Sequence, residues 1–151
     1  MGSAVTMRTV ASSGDVMSAA DEVEYVNGAA TTTQGKLRAA NGRKEPYSCR
    51  FWSIGNEMYG NWQLGHMPLA KYQEKHNEFA RAMRAKDASI TLVGVGDVGP
   101  WTEGMLANCA DNMSLISEHF YVQEAAGLMG HVALVPRQIK RIAEAHRKYR
   151  Q

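Results

Sequence analysis

The stretch ITLVGV at residues 90–95 is the most strand-like segment of this 151-residue sequence. A helical pattern precedes it, because one side of a long helix is marked at the expected spacing by Leu69, Tyr72, His76, Phe79 and Met83. A second helix follows it, with Thr102 as the predicted cap and Cys109 near its end. A strand between two helices is typical of a parallel sheet with crossover connections.

The same alternation extends in both directions along the chain. Short strands are predicted at 7–11, 50–54 and 114–117. A helix is predicted from Ser18, with Asp21 as a capping partner and Gly28 as its end, and the polar stretch from there to Pro46 is predicted as a loop. A final helix is predicted to open at Pro136 and to face the core with Ile139, Ile142 and Ala143.

Strand and helix alternate about four times, which predicts an α/β fold in a single domain over residues 1–151. The fold is either a doubly wound sheet or part of a (β/α) barrel, with about four β/α units and parallel strands. In both architectures the chemistry lies at the carboxyl ends of the strands.

Composition excludes several classes of protein. The chain is 44% hydrophobic and 21% charged with a formal net charge of +2, values of a globular domain without a nucleic-acid partner. It contains no apolar run long enough for a membrane span, and a signal peptide is not evident, so we expect a cytoplasmic protein. Cys49 and Cys109 lack the spacing of a zinc site, and the histidines lack metal-ligand spacing, so no metal is expected.

The segment IGNEMYGNWQ at residues 54–63 holds the chemistry that stands out most. An apolar strand delivers Asn56 and Glu57 side by side into a loop with two aromatic residues. Glycoside hydrolysis needs a carboxyl group that protonates the leaving oxygen and a neutral group that binds a ring hydroxyl. Asn56 and Glu57 match that need, although the same pair also satisfies backbone groups in ordinary turns.

The longer stretch resembles the acid/base segment of family 51 glycoside hydrolases, the α-L-arabinofuranosidases. The likeness includes GNEM at 55–58 and WQLGH at 62–66, and it continues upstream in residues 20–28 and 35–38. Downstream it includes DASI at 87–90 and SEHFY at 117–121. The resemblance covers most of residues 14–150 and implies part of a (β/α)8 TIM barrel.

The resemblance also implies roles for individual residues. Glu57 would be the general acid/base of a retaining hydrolase acting on arabinose-containing oligo- or polysaccharides of hemicellulose, and Asn56 would bind the sugar hydroxyl next to the reacting carbon. Trp62 would line the sugar site, and His119 and Tyr121 would lie beside the nucleophile and orient it. No organic cofactor is implied.

Several features depart from the family pattern. The family's nucleophile lies in an Asp-Glu-Trp-like segment that does not occur here, and Glu118 is a substitute candidate at a strand end. Residues 10–13 read VASS where the family carries a substrate-binding asparagine, and the accessory β-sandwich domain has no counterpart. A truncated, non-catalytic sugar-binding protein is therefore the alternative. Open strand edges and an uncovered apolar sheet face predict a homo-oligomer.

A rival interpretation comes from GVGDVG at residues 94–99, which fits the glycine pattern of a dinucleotide-binding turn. That turn should lead directly into a helix whose first N–H groups bind the pyrophosphate. Pro100 and Trp101 interrupt the predicted connection, so nucleotide binding is the less favoured interpretation.

Overall fold

The computed structural model describes residues 7–10 and 14–149, and these residues form a four-stranded sheet with helices. All strand pairs are parallel in the order β1-β2-β3-β4, as the alternation predicts. The strands are β1 Met7–Val10, β2 Phe51–Ile54, β3 Thr91–Val95 and β4 Leu115–Ser117. Because the strands run in one direction, their carboxyl ends lie along a single edge of the sheet.

Six α-helices connect or follow these strands. Their bounds are α1 Val16–Asn27, α2 Thr33–Ala40, α3 Leu69–Lys86, α4 Pro100–Cys109, α5 Leu128–Val132 and α6 Leu134–Lys148. Helix α3 confirms the predicted face, since Tyr72, His76, Phe79 and Met83 are buried. The β/α alternation and the parallel sheet are therefore confirmed. Residues 11–13, where the resemblance places the missing asparagine, lie outside the described residues.

The start of α1 differs from the prediction by two residues. The helix begins at Val16, and the carboxylate of Asp15 accepts a hydrogen bond from the backbone N–H of Ser18 at 3.1 Å. Ser18 is therefore the recipient of the cap rather than the cap itself, because the aspartate three residues earlier is also a strong capping residue. The predicted end at Gly28 is confirmed.

Helix α2 lies in the stretch that was predicted to be a loop, so that prediction was wrong. Its cap is local, because the Thr32 hydroxyl accepts from the Gly35 N–H at 3.1 Å. The helix is stabilised by contacts with other parts of the chain. Arg38 is fully buried and donates to the backbone carbonyls of Tyr25 at 2.7 Å and Lys44 at 2.9 Å. A polar helix held by a buried arginine has no apolar periodicity for the sequence to reveal.

Helix α4 also begins earlier than predicted. It starts at Pro100 directly after Gly99, whose φ is 124°, and proline at the first helical position needs no N–H partner. Thr102 lies inside the first turn, where its hydroxyl accepts from the Asp97 N–H at 2.9 Å. The premise that Pro100 separates the glycine turn from the helix was therefore wrong.

The core consists of two clusters of buried side chains. The first lies between the sheet and helices α1 and α3, and it includes Val23, Trp52, Phe79 and Leu92. The second lies near the carboxyl ends of β2 and β3 and contains Met58, Tyr72, Val95, Met105, Cys109 and Met113. Cys49 and Cys109 are both buried and are not joined by a disulfide.

The C-terminal helices are packed differently from the rest. Helix α6 has no buried residue, and Ile139, which was predicted to face the core, is 54% exposed.

The expected uncovered sheet face is also largely absent, since Trp52, Val93 and Val95 are buried and only Leu115 of β4 is strongly exposed. The exposed apolar side chains are concentrated on α5 and α6. None of the described helices is long and apolar enough to cross a membrane.

Candidate active site

Glu57 lies immediately beyond the carboxyl end of β2, as predicted. Gly55 leaves the strand at a φ of 81°, and its N–H donates to the carbonyl of Val10 at 2.9 Å. Glu57 itself has a φ of 47°, a left-handed conformation that costs a non-glycine residue on the order of 1 kcal/mol or more. Despite this strained backbone, Glu57 is buried, and only 7% of the residue is exposed.

Three donors converge on the Glu57 carboxylate. One oxygen pairs with Nδ1 of His119 at 2.8 Å, and the other accepts from Nε1 of Trp62 at 2.8 Å and Nε2 of Gln63 at 3.4 Å. The hydrogen bond from His119, followed by that from Trp62, lowers the pKa of Glu57 against the opposing effect of burial. In this chain Glu57 is therefore held in its ionised form.

The loop that carries Trp62 is shaped by close contacts. A side chain at Gly60 would meet the Trp62 ring at 2.3 Å, so only glycine allows the indole to lie over the backbone there. The edge of Tyr59 packs against Trp62 with ring centroids 6.1 Å apart. The N–H of Met67 donates to the carbonyl of Met58 at 3.1 Å and closes the loop at its base.

Two aromatic residues, the buried Tyr72 and the partly buried Trp101, support the strand ends below this loop. The Tyr72 hydroxyl donates to the carbonyl of Ile54 at 2.6 Å and accepts from the N–H of Val95 at 3.2 Å, so it joins β2 to β3. Trp101 stacks on Tyr72 and donates its indole N–H to the carbonyl of Val95 at 3.0 Å. The sequence indicated only that Tyr72 faces the core. These cross-strand contacts carry no local signal.

The remaining predicted site residues differ in how closely they approach Glu57. His119 and Trp62 contact it directly, although Trp62 is 66% exposed overall. Tyr121 is 80% exposed, and it contributes with burial and Glu57 to raising the pKa of Tyr59 to about 12. Asn56 is exposed next to Glu57 in the chain. A carboxyl group with aromatic surface around it can bind a polar ring substrate, donate a proton when it is protonated and accept one when it is ionised.

Glu118 faces the opposite way from its neighbour His119. Its carboxylate accepts from the hydroxyl of Thr102 at 2.8 Å and the N–H of Val98 at 3.0 Å, and it pairs with Nε2 of His146 at 2.8 Å. The structure therefore brings Glu57, Trp62 and His119 together and directs Glu118 towards α4 and α6.

Three backbone N–H groups of the glycine-rich turn after β3 are already engaged within the protein. The N–H of Asp97 is bonded to Thr102, that of Val98 to Glu118, and that of Gly99 to the hydroxyl of Tyr149 at 2.9 Å. A dinucleotide site requires these backbone groups to face the pyrophosphate. Within the described residues, no group of three or more acidic, histidine or cysteine side chains is arranged to hold a metal ion.

A cavity of about 590 Å³ lies at the other end of the strands and has a structural explanation. The amide of Asn27 donates to the carboxylate of Asp87 at 2.7 Å and to the carbonyl of Cys49 at 2.8 Å. Its oxygen accepts from the Cys49 N–H at 2.8 Å. These bonds join α1 to the residues that precede β2 and β3, far from the carboxyl ends.

Known proteins resemble this chain along most of its length. The family model described as the alpha-L-arabinofuranosidase 1 domain matches residues 2–147. An intracellular exo-alpha-(1->5)-L-arabinofuranosidase from Bifidobacterium longum is 38% identical over 110 residues, which are 68% of this chain and 19% of that protein. A protein of the same name from Streptomyces lividans is 37% identical over 111 residues, 69% of this chain and 17% of its own.

Solved structures give the same result. The α-L-arabinofuranosidase from Thermotoga maritima in complex with arabinose aligns with a TM-score of 0.79 and 34% identity, covering 87% of this chain and 27% of that one. A family 51 α-L-arabinofuranosidase from Bifidobacterium longum aligns with a TM-score of 0.77 and 32% identity, covering 91% and 30%. The four parallel strands are consistent with part of such a barrel.

Proposed function

This chain belongs to the family 51 α-L-arabinofuranosidases, and we propose that it supplies the acid/base half of a retaining glycosidase site. The chain spans about a fifth of the curated relatives it matches. The reaction proposed is the release of terminal α-L-arabinofuranosyl residues from arabinose-containing glycans. The observation that carries the proposal is the strained, buried Glu57 at a strand end, with its carboxylate held by three donors.

Glu57 acts in both steps of the proposed reaction. As the glycosidic bond breaks and the nucleophile bonds to the anomeric carbon, Glu57 gives its proton to the leaving oxygen. It then takes a proton from the water that displaces the enzyme from that carbon. Asn56 binds the neighbouring sugar hydroxyl, while Trp62 and Tyr121 provide exposed aromatic surface for the sugar ring.

The first of these steps needs a protonated Glu57, whereas the contacts present here favour the anion. A second carboxylate about 5–5.5 Å away, as retaining hydrolysis requires, raises the pKa of its neighbour by charge repulsion. We infer that in the complete site this repulsion outweighs the effect of the donors around Glu57, so that the carboxyl is protonated for the first step. The nucleophile is not Glu118 in this proposal, because three donors engage the Glu118 carboxylate on the side facing α4 and α6.

Sugar binding without turnover is the second candidate function. Among the described residues, no second carboxylate contacts the donors around Glu57, whereas Trp62 and Tyr121 offer exposed rings. We therefore expect little or no turnover by the isolated chain. Saturation-transfer NMR with methyl α-L-arabinofuranoside tests binding, with Trp62→Ala expected to weaken it and Leu64→Ala, in the same loop, as the matched control.

The catalytic proposal is tested in a form of the protein that turns over substrate. Glu57→Gln should cripple hydrolysis of oligosaccharides, whose leaving groups need a proton, and should slow the glycosylation step less for activated aryl arabinofuranosides. Added azide should restore part of the turnover, because it attacks the glycosyl-enzyme without a base. Equal losses on both substrates with no effect of azide would remove Glu57 from this role.

Names of two relatives refine the proposal. Both the Bifidobacterium longum and Streptomyces lividans proteins are named as intracellular enzymes that act on α-(1→5) linkages. These names support a cytoplasmic location for this protein and arabinan-derived oligosaccharides as its substrate class. A comparison of α-(1→5)-linked arabino-oligosaccharides with arabinoxylan-derived ones measures that preference.

A homo-oligomer is proposed from the C-terminal surface. Helices α5 and α6 and strand β4 expose large apolar side chains, namely Leu115, Leu128, Met129, Val132, Val135 and Ile139. Apolar patches of this kind are typical of association surfaces. We propose that a second copy of the chain covers them, since the two-fold pairing of identical patches needs no other protein.

Light scattering coupled to size exclusion measures the association. Ile139→Glu, on the exposed apolar side of α6, should shift the species towards monomer, whereas Lys140→Glu on the polar side of the same helix should not. A single wild-type species of 16.6 kDa that is stable on dilution and does not bind a hydrophobic dye would contradict the proposal.

A further inference from the structure

Glu118 is the meeting point of three separate parts of the chain. It accepts hydrogen bonds from Val98 in the loop after β3 and from Thr102 in α4, and it pairs with His146 in α6. Its side chain is only 9% exposed. A buried carboxylate with three donors fixes the elements that supply those donors, because each broken bond leaves a charge without compensation.

The backbone around Glu118 is adapted to this arrangement. A Cβ at Gly96 would lie 2.9 Å from the Glu118 carboxylate and 2.3 Å from the carbonyl of Ser117. The absence of a side chain at Gly96 therefore provides the space that the carboxylate occupies. Gly96 belongs to the glycine pattern that resembles a nucleotide-binding turn. The close approach of the Glu118 carboxylate explains why a glycine is needed at this position without a nucleotide.

Helix α6 is held to the loop after β3 by its last turn. His146 pairs with Glu118, and the hydroxyl of Tyr149 accepts from the N–H of Gly99 at 2.9 Å. The two rings also pack edge to face with centroids 5.4 Å apart. Since no described residue of α6 is buried, these polar contacts rather than apolar burial position the helix.

The contacts of Glu118 also affect the position of the imidazole that pairs with Glu57, because the two residues 118 and 119 are adjacent in the chain. His119 follows Glu118 directly and pairs with Glu57 at 2.8 Å, yet both residues lie beyond the end of β4. Among the described residues, the side-chain hydrogen bonds at this strand end are that of Ser117 to the carbonyl of Gly94 at 3.3 Å, those of Glu118 on one side and that of His119 on the other. A shift of Glu118 therefore moves the attachment point of the His119 ring.

We infer that Glu118, Thr102 and His146 form a clamp that ties α6 to the loop after β3 and thereby holds the His119 imidazole against Glu57. These three are positioning residues, because they act on Glu57 through His119. The catalytic meaning of the clamp rests on the proposed function of Glu57, whereas its effect on the position of His119 does not. The position of His119 at the site therefore depends on helix α6, although α6 does not contact Glu57.

The test follows the carboxyl of Glu57 and the ring of His119 by NMR in the isotope-labelled 151-residue chain. His146→Leu removes the donor to Glu118, and His146→Gln replaces it with an amide that can donate again. Glu144→Gln, on the exposed part of the same helix, is the matched control. The clamp predicts that His146→Leu raises the pKa of Glu57 by up to about one unit and shifts the His119 ring signals. The glutamine variant and the control should stay near wild type.

Two outcomes would overturn the clamp. In one, His146→Leu detaches α6, seen in its amide signals, while the titration of Glu57 stays unchanged. In the other, α6 remains docked without His146. If His146→Leu fails to fold, Thr102→Val decides the matter, since it removes one donor to Glu118 with little change in volume. An unchanged Glu57 titration in that folded variant would also overturn the clamp.

These readouts do not require turnover. Failure of the proposed function, through full activity of Glu57→Gln, therefore remains distinguishable from failure of the clamp.

Discussion

Glu57 follows β2 and Glu118 follows β4, two parallel strands with β3 between them. Both side chains are only 9% exposed, and each carboxylate pairs with a histidine at 2.8 Å. They differ in their surroundings. Glu57 stands in a loop with a strained backbone and an exposed indole, whereas Glu118 is enclosed by two helices and a backbone N–H. A histidine–carboxylate pair is therefore not a functional signature by itself. Strain and exposed aromatic surface distinguish the candidate site from the structural clamp.

The largest expected effect separates the two carboxyls by activity. In a catalytically competent form, Glu57→Gln should lower kcat/KM on oligosaccharides by about 10²–10⁴-fold, the usual contribution of acid/base catalysis. Glu118→Gln should lower it by about tenfold or less, because it acts only through His119. Steady-state kinetics on both variants measures this, and a greater loss for Glu118→Gln would reverse the comparison.

A third buried titratable residue shows what burial does without an ionic partner. Burial lowers the pKa of His76 to about 4 from an ordinary 6.5. The unfolded chain therefore binds the proton first, so stability is complete above pH 6.5 and falls by about 3 kcal/mol as the pH approaches 4. Denaturant unfolding across this range should show the slope, and His76→Gln should flatten it. The exposed His66→Gln is the control, and an equal slope in the His76 variant would contradict the assignment.

The clamp should make a measurable contribution to the stability of the fold. Glu118→Ala leaves three donors without an acceptor and should lower the free energy of unfolding by about 2 kcal/mol. Glu103→Ala, on the exposed side of α4, should change it by about 0.5 kcal/mol or less. Urea titrations of the three proteins give these values. Equal stability of the Glu118 and Glu103 variants would show that the buried carboxylate holds nothing.

The smallest effect concerns the ionisation of Glu57. Trp62→Phe keeps an aromatic ring and removes the N–H donor, so the pKa of Glu57 should rise towards its ordinary value. A carboxyl group whose pKa is lowered by folding stabilises the folded state at any pH above its pKa in the unfolded chain. That stabilisation is lost as the pH falls through its pKa in the folded protein. The Trp62→Phe variant should therefore lose this contribution to the free energy of unfolding. Carboxyl NMR titration measures it, with Leu64→Ala expected to leave the pKa unchanged.

The sequence by itself determined the parallel α/β class and the location of the acid/base candidate. Apolar strands such as 90–95 and the single marked face of α3 are local patterns, so their periodicity is sufficient to predict them. Glu57 was predictable because its neighbours in the chain, from Gly55 to Trp62, form a recognisable segment. The contact between Glu57 and His119 was not predicted, because the family resemblance placed His119 beside the nucleophile.

Only the tertiary structure decided the features that depend on distant partners. Helix α2 forms because Arg38 is buried against the carbonyls of Tyr25 and Lys44, and such bonds leave no periodicity in the sequence. Glu118 and His119 are adjacent in the chain, yet one pairs with His146 of α6 and the other with Glu57. Which of two neighbouring polar residues enters a site depends on what packs on each side of the strand. That information is carried by residues more than 15 positions away.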